Sequence, residues 1–195
     1  TDAQATVMKM GDGGFRPAYN PQLASDVDSL VIVGVEVATA GSDQGQMVPM
    51  IEQVRERCGQ APEAWLVDGG FVGHQQVEQA SAHTTVYGPV PAAKDKAVDP
   101  HQPKPDDSPG VAAWRARMGT DEAKAIYKNR AATAECVNAQ SRNRGLQQFR
   151  VRGLAKVKCV VLFFALAHNL MRMASLAPEM LALGKGASAV SGIGA

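Results

Sequence analysis

Two carboxylates stand out by where they fall. Asp68 closes the short apolar stretch AWLVD at 64–68 and is followed by Gly69 and Gly70. In open α/β sheets functional groups gather at the carboxyl ends of strands, and glycines let a phosphate or a backbone come close. A carboxylate in that place can hold a metal, or it can cap its own turn. Glu135 is the one acid between Ala123 and Leu176. Lys128, Glu135 and Arg142 follow one another at seven-residue spacing, which predicts a shared helix face with Ala131 and Asn138 between them. A lone acid among cations is an ion-pair partner, or a metal ligand whose neighbours hold phosphates. Phosphodiester cleavage uses the second arrangement. Carboxylates hold two divalent ions about 3.5–4 Å apart, which activate water and stabilise the leaving oxygen. Lys and Arg grip the nucleic-acid backbone.

The elements that position these residues can be read from pattern. FRPAYNPQLA (15–24) and LVIVGVEVA (30–38) predict an antiparallel hairpin around the polar turn SDVDS, with Val31, Val33, Val35 and Val37 on one face. Pro21 puts the first of these strands at an edge or a bulge. Ser42 and Asp43 predict the cap of a helix running to Cys58, kinked or split at Pro49 and stopped by Gly59. A strand at 64–68, a helix at 73–82 and a strand at 84–88 predict a parallel pair. Residues 89–110, rich in Pro and Asp, read as a long exposed loop over one edge. Helices are expected again from Val111, over 121–143, and from Gly153 to about Leu183, followed by a flexible tail at 184–195. DGGF occurs at 12–15 and 68–71 with unmatched flanks, a chance duplication.

Charge is split along the chain. Residues 1–111 hold seven Lys/Arg against fifteen Asp/Glu, whereas residues 112–172 hold twelve against three. The basic half predicts a polyanionic partner or a solvated basic face. Cys58, Cys136 and Cys159 show no metal-ligand or disulfide spacing and fit a reducing cytoplasm. CVVLFFALA (159–167) lies in a 13-residue interval between Lys158 and Arg172. That is short of the roughly 20 apolar residues of a spanning helix, so a buried helix and no membrane contact are expected. His168 reads as a satisfied core or interface histidine. Trp65 and Trp114 read as packing residues, as do Met47, Met50, Met171 and Met173.

The segment Tyr127-x2-Arg130-x4-Glu135-x6-Arg142 resembles the Tyr-Arg-Glu-Lys signature of a group of bacterial insertion-sequence transposases of the DDE class. The Arg130–Glu135 gap is one residue longer than the commonest form, and Arg142 stands where Lys is usual. LVDGGF (66–71), FRPAYNPQLASD (15–26), IVGVEVATAGSD (32–43) and residues 145–173 resemble further blocks of that family in the same order. The resemblance implies a partial catalytic domain over 1–183. Its fold would be α/β, a ribonuclease H-like mixed sheet flanked by helices, with the first strand missing. It implies Asp68 and Glu135 as catalytic and metal-binding residues with Mg²⁺ or Mn²⁺. It also implies double-stranded DNA, transposon ends and target, as partner, with Tyr127, Arg130, Arg142, Arg144, Arg150 and Arg152 on the DNA and a homodimer formed there. The setting would be the bacterial cytoplasm at the nucleoid. The first acid of the family sits on the first strand, and no acid in 1–43 has an apolar strand to hold it. Asp26, Asp28 and Asp43 read as turn and cap residues, so this chain alone is expected not to cleave DNA. The alternatives are a non-catalytic DNA-binding remnant and an unrelated metal-dependent α/β hydrolase.

Overall fold

The computed structural model describes residues 2–178. Two short antiparallel ribbons open the chain. β1 (Thr6–Lys9) pairs with β2 (Phe15–Ala18), and β3 (Asn20–Ser25) pairs with β4 (Ile32–Ala38). The single strand expected over 15–24 is therefore divided at Tyr19. Its first half joins β1, a strand the sequence reading missed although the Asp12-Gly13-Gly14 turn announces it. DGGF at 12–15 is the tip of this ribbon, whereas DGGF at 68–71 follows a strand end, so the two copies share no structure.

The expected valine face of β4 is corrected by a bulge. The register slips between Ala24 and Ser25, opposite Gly34 and Ile32. A bulge reverses the side-chain alternation beyond it. Ile32, Val35 and Val37 therefore share one core cluster, while Val33 packs with Ala24, Met50 and Val54 on the other side.

α1 (Met47–Cys58) begins later than the Ser42-Asp43 cap predicts. Gly45, at φ 84°, turns the chain out of helical geometry first. Pro49 consequently falls in the first turn, where a missing N–H costs no helical bond, and α1 is not split. Gly59 closes α1 in the left-handed region, as expected. β5 (Ala64–Leu66), α2 (His74–Ser81) and β6 (Thr85–Tyr87) give the parallel pair the sequence predicts.

From residue 89 the chain is irregular until α3 (Pro109–Met118). This loop is tied down from inside. Arg115, buried in α3, makes an ionic contact of 2.7 Å with Asp107 and donates to the Pro100 carbonyl. α4 (Asp121–Arg130) runs through a π-helical turn (Ala131–Glu135) into α5 (Cys136–Asn143), so the helical run over 121–143 holds, with one widened turn inside it. α6 (Leu154–Leu176) is the last described helix; residues 179–183, where it was expected to end, and the expected tail at 184–195 lie outside the described residues.

Two cores result. One joins α1, α2, α3, α4 and the β5–β6 pair around the fully buried Trp114, whose indole donates to the Gly88 carbonyl. The other packs Val157, Val161 and Ala165 of α6 and Val137 of α5 on β4. α6 is not the wholly buried helix expected. Val157, Val161, Ala165 and His168 are covered, but Leu162, Phe163, Leu166 and Leu170 are exposed, and so is Met171, which was expected in the core. The helix is long and apolar enough to cross a membrane by length and composition. Its fourth turn is also fastened to the β3–β4 turn. His168 Nε2 donates to the Leu30 carbonyl at 2.7 Å, so its Nδ1 accepts from Arg144 at 3.2 Å. Asn169 exchanges two hydrogen bonds of 2.8 Å with the backbone of Ile32.

Candidate functional site

A cleft of about 970 Å³ opens between β3 and β5, with α1 on one side and the π-turn and α5 on the other. Asp68, Asp43, Arg130 and Arg142 all line it. Asp68 follows β5, and its Oδ1 accepts the Gly70 N–H at 2.9 Å, the local turn bond that a strand-end aspartate makes.

Asp43 is not the helix cap the sequence predicts. Its Oδ1 accepts from the side-chain amides of Asn20 and Gln22, each at 2.7 Å, which fixes the carboxylate against β3. A β-carbon placed on Gly70 would lie 3.0 Å from Asp43 Oδ2 and 3.1 Å from Asp68 Oδ1. Two carboxylate oxygens from separate elements thus border one small space, open because residue 70 is glycine. Sequence reasoning took Asp43 for a turn or cap residue; the polar Asn20 and Gln22 inside a strand were the available signal of its tether. Hard carboxylate oxygens of this kind suit Mg²⁺ or Mn²⁺. Among the described residues, no three His, Cys, Asp or Glu come together as a metal-binding group.

Glu135 ends the π-turn, 71% exposed at its side chain, and Arg130 Nη2 lies 3.9 Å from its Oε1. Arg130, not Lys128, is its cationic neighbour. An α-helix brings i and i+4 onto one face, and a π-turn does the same for i and i+5. The five-residue spacing of Arg130 and Glu135 is therefore accommodated by the π-turn. The same turn shifts the helical phase, so the single face proposed for Lys128, Glu135 and Arg142 is interrupted. Arg130 also stacks over Tyr127 at 5.8 Å, and Tyr127 is anchored in the Trp114 core. Thr133, buried in the π-turn, returns a hydrogen bond to the Asn129 carbonyl.

The remaining basic residues form a second group. Arg144 and Arg150 border a smaller cavity of about 310 Å³ lined by Phe149, Val151 and Phe164. Arg152 lies beside Asp2, whose carboxyl is held below the ordinary range by the Gly153 N–H and by the Tyr19 hydroxyl, with the Arg152 charge adding to them. Arg130 and Arg142 thus share Asp68's cleft, and Arg144 and Arg150 sit apart.

Residues 101–174 match the family model of the transposase DDE domain. No curated protein and no solved structure matches the chain. The matched stretch contains Glu135, Tyr127 and each of the five arginines considered above, and it lies beyond Asp68 in the chain. Over residues 101–174 the chain is thus similar to the transposase DDE domain.

Proposed function

We infer that this chain is part of an enzyme that cuts and rejoins DNA at transposon ends. Asp68 and Glu135 would act as metal-binding acids, and Tyr127, Arg130, Arg142, Arg144, Arg150 and Arg152 as the DNA-contacting set. The observation that carries this reading is the position of Arg130, which lines the cleft of Asp68 and pairs with Glu135. One guanidinium so placed holds a phosphate between the two carboxylates' elements. Arg142, on the same cleft, gives a second contact. Asp68 would be the first ligand for a divalent ion, with Asp43 beside it across Gly70. A bound Mg²⁺ or Mn²⁺ supplies Lewis-acid activation of water and phosphate. The antiparallel β3–β4 and parallel β5–β6 pairs are separate two-stranded sheets, and their mixed strand directions are compatible with part of a ribonuclease H-like fold. A homodimer on DNA, at the nucleoid of a bacterium carrying an insertion sequence, belongs to the same reading.

The absence of a three-acid group among the described residues favours a second reading, DNA binding without cleavage by this chain alone. One assay separates the two. Supercoiled DNA is incubated with the 195-residue chain in Mg²⁺ or Mn²⁺, and nicking and binding are measured together. Salt-sensitive binding without nicking is the expected result. Nicking that vanishes in Glu135→Gln would restore full activity to the chain, and failure to bind DNA at low salt would sink both readings.

A further inference from the structure

We propose that α6 pairs antiparallel with α6 of a second copy of this chain, along a seam of Cys159, Phe163, Leu166 and Leu170. The pairing needs no DNA, so it stands apart from the catalytic reading. The seam lies on the side of α6 opposite Val157, Val161 and Ala165, which pack on β4. Among the described residues of α6, none lines the cleft of Asp68. A strand added beside β3 or β5 extends a sheet in its own plane and does not reach over the outer side of α6.

The face has the spacing and the area of an interface. α6 runs for 23 residues, about 34 Å of helix. Cys159, Phe163, Leu166 and Leu170 follow one another in steps of four, three and four, the spacing at which two helices interlock side chains along a shared seam. All four are exposed, Phe163 by 65%, and Leu162 and Met171 widen the stripe on either side. The apolar side chains expose on the order of 500 Å² per copy, at the upper end of what a monomer shows to water. Two such faces together bury on the order of 1,000 Å², enough for a specific interface.

Symmetry and charge select a second copy and fix its direction. Steps of four, three and four read the same from either end. A two-fold axis midway between Phe163 and Leu166 therefore sets each Phe163 against Leu166 of the other copy, and each Cys159 against Leu170. Lys156 stands in the first turn of α6, where its charge opposes the helix dipole. The last turn carries no basic residue, and the helix holds no acid. Antiparallel pairing brings Lys156 to the carbonyl end of the facing helix, where a cation is stabilised. Parallel pairing would set Lys156 against Lys156 instead.

Sedimentation of the full chain without DNA is expected to show a monomer–dimer equilibrium. Leu166→Glu sets two carboxylates at the centre of the seam and should weaken the dimer at least about tenfold. Circular dichroism should stay unchanged, because Leu166 is exposed in the single copy. Direction is read by thiol crosslinking in a background of Cys58→Ser and Cys136→Ser. Leu170→Cys places a thiol opposite Cys159 of the other copy, and oxidation in air with copper–phenanthroline should join the two as a covalent dimer. Within one copy these positions lie eleven residues apart on a single helix, about 16 Å, too far for a disulfide. The background chain, which keeps Cys159 alone, should remain uncrosslinked. Its crosslinking through Cys159 to Cys159 would overturn the antiparallel pairing. A monomer at every concentration, or open-ended aggregation without a dimer, would overturn the proposal. Flotation of a monomer with phosphatidylcholine vesicles would assign the face to lipid and overturn it as well.

Discussion

Arg130 and Glu135 stand five residues apart in the sequence and face each other across one π-helical turn, guanidinium to carboxylate at 3.9 Å. A five-residue spacing is the spacing this turn requires. Deleting the exposed Ala132 is therefore expected to convert the π-turn to α-helix while keeping α5 in phase. Its cost in urea unfolding should stay near 1 kcal/mol, the ordinary size of a point change. Deleting Ala125 from the regular part of α4 rotates everything beyond it and should cost several times more. Equal costs would mean that the π-turn does not absorb a residue.

The two groups of arginines predict a divided DNA interface. Arg142→Ala with Arg144→Ala removes one contact from each group. The slope of log affinity against log salt is expected to flatten by about 1.8. An unchanged slope in a double variant with wild-type circular dichroism would reduce these arginines to a solvated face.

Gly70 predicts a metal effect separable from folding. In Gly70→Ala the new methyl group enters the space bordered by Asp43 Oδ2 and Asp68 Oδ1. Mn²⁺ affinity, read by calorimetry, should fall about tenfold or more, with little change in melting temperature. Affinity equal to that of the unaltered chain would remove the Asp43–Asp68 pair from the metal site.

Asp107 and Arg115 form a pair with side chains only 3% and 5% exposed. Asp107→Asn leaves the guanidinium buried without its counter-charge and should cost about 3 kcal/mol at pH 7. Burial alone would raise the Asp107 carboxyl, but the Lys104 N–H and the Arg115 charge outweigh it and hold the carboxyl below its ordinary 3.8. A folded-state value depressed in this way gives stability that is fully present above the unfolded value and lost as pH falls through the folded one. The gap between variant and wild type should thus be constant from pH 7 to 5 and close below about pH 4. A gap that widens in acid would contradict this assignment.

Periodicity and punctuation carried much of the architecture. The parallel pair at β5 and β6, the helical run over 121–143, the stop at Gly59 and the satisfied His168 could all be read from residues alone. The failures have local causes. Gly45 delayed α1, and a bulge opposite Ile32 reversed the face of Val33; neither leaves a periodic trace. Phe163 and Leu166 lie on the side of α6 that faces no other element, and hydrophobicity cannot tell a helix's covered stripe from its bare one. Asp68 and the arginines were singled out because strand ends and charge runs are linear features, and the cleft shared by Asp68, Arg130 and Arg142 is a relation in space. Asp43 was not, because its partners Asn20 and Gln22 come from another strand.

The hydrogen bonds from His168 and Asn169 to Leu30 and Ile32 span 138 and 137 residues of chain. On the ribosome, the β3–β4 hairpin must therefore wait for well over a hundred further residues before its turn is fastened. At about 5–20 residues per second, that is a delay on the order of ten seconds. During it, the inner face of β4, with Val35 and Val37, has no α6 to lie against. A nascent chain stalled before residue 168 would expose that face to chaperones, and release factors acting at an early stop codon would deliver a chain with one core closed and the other open.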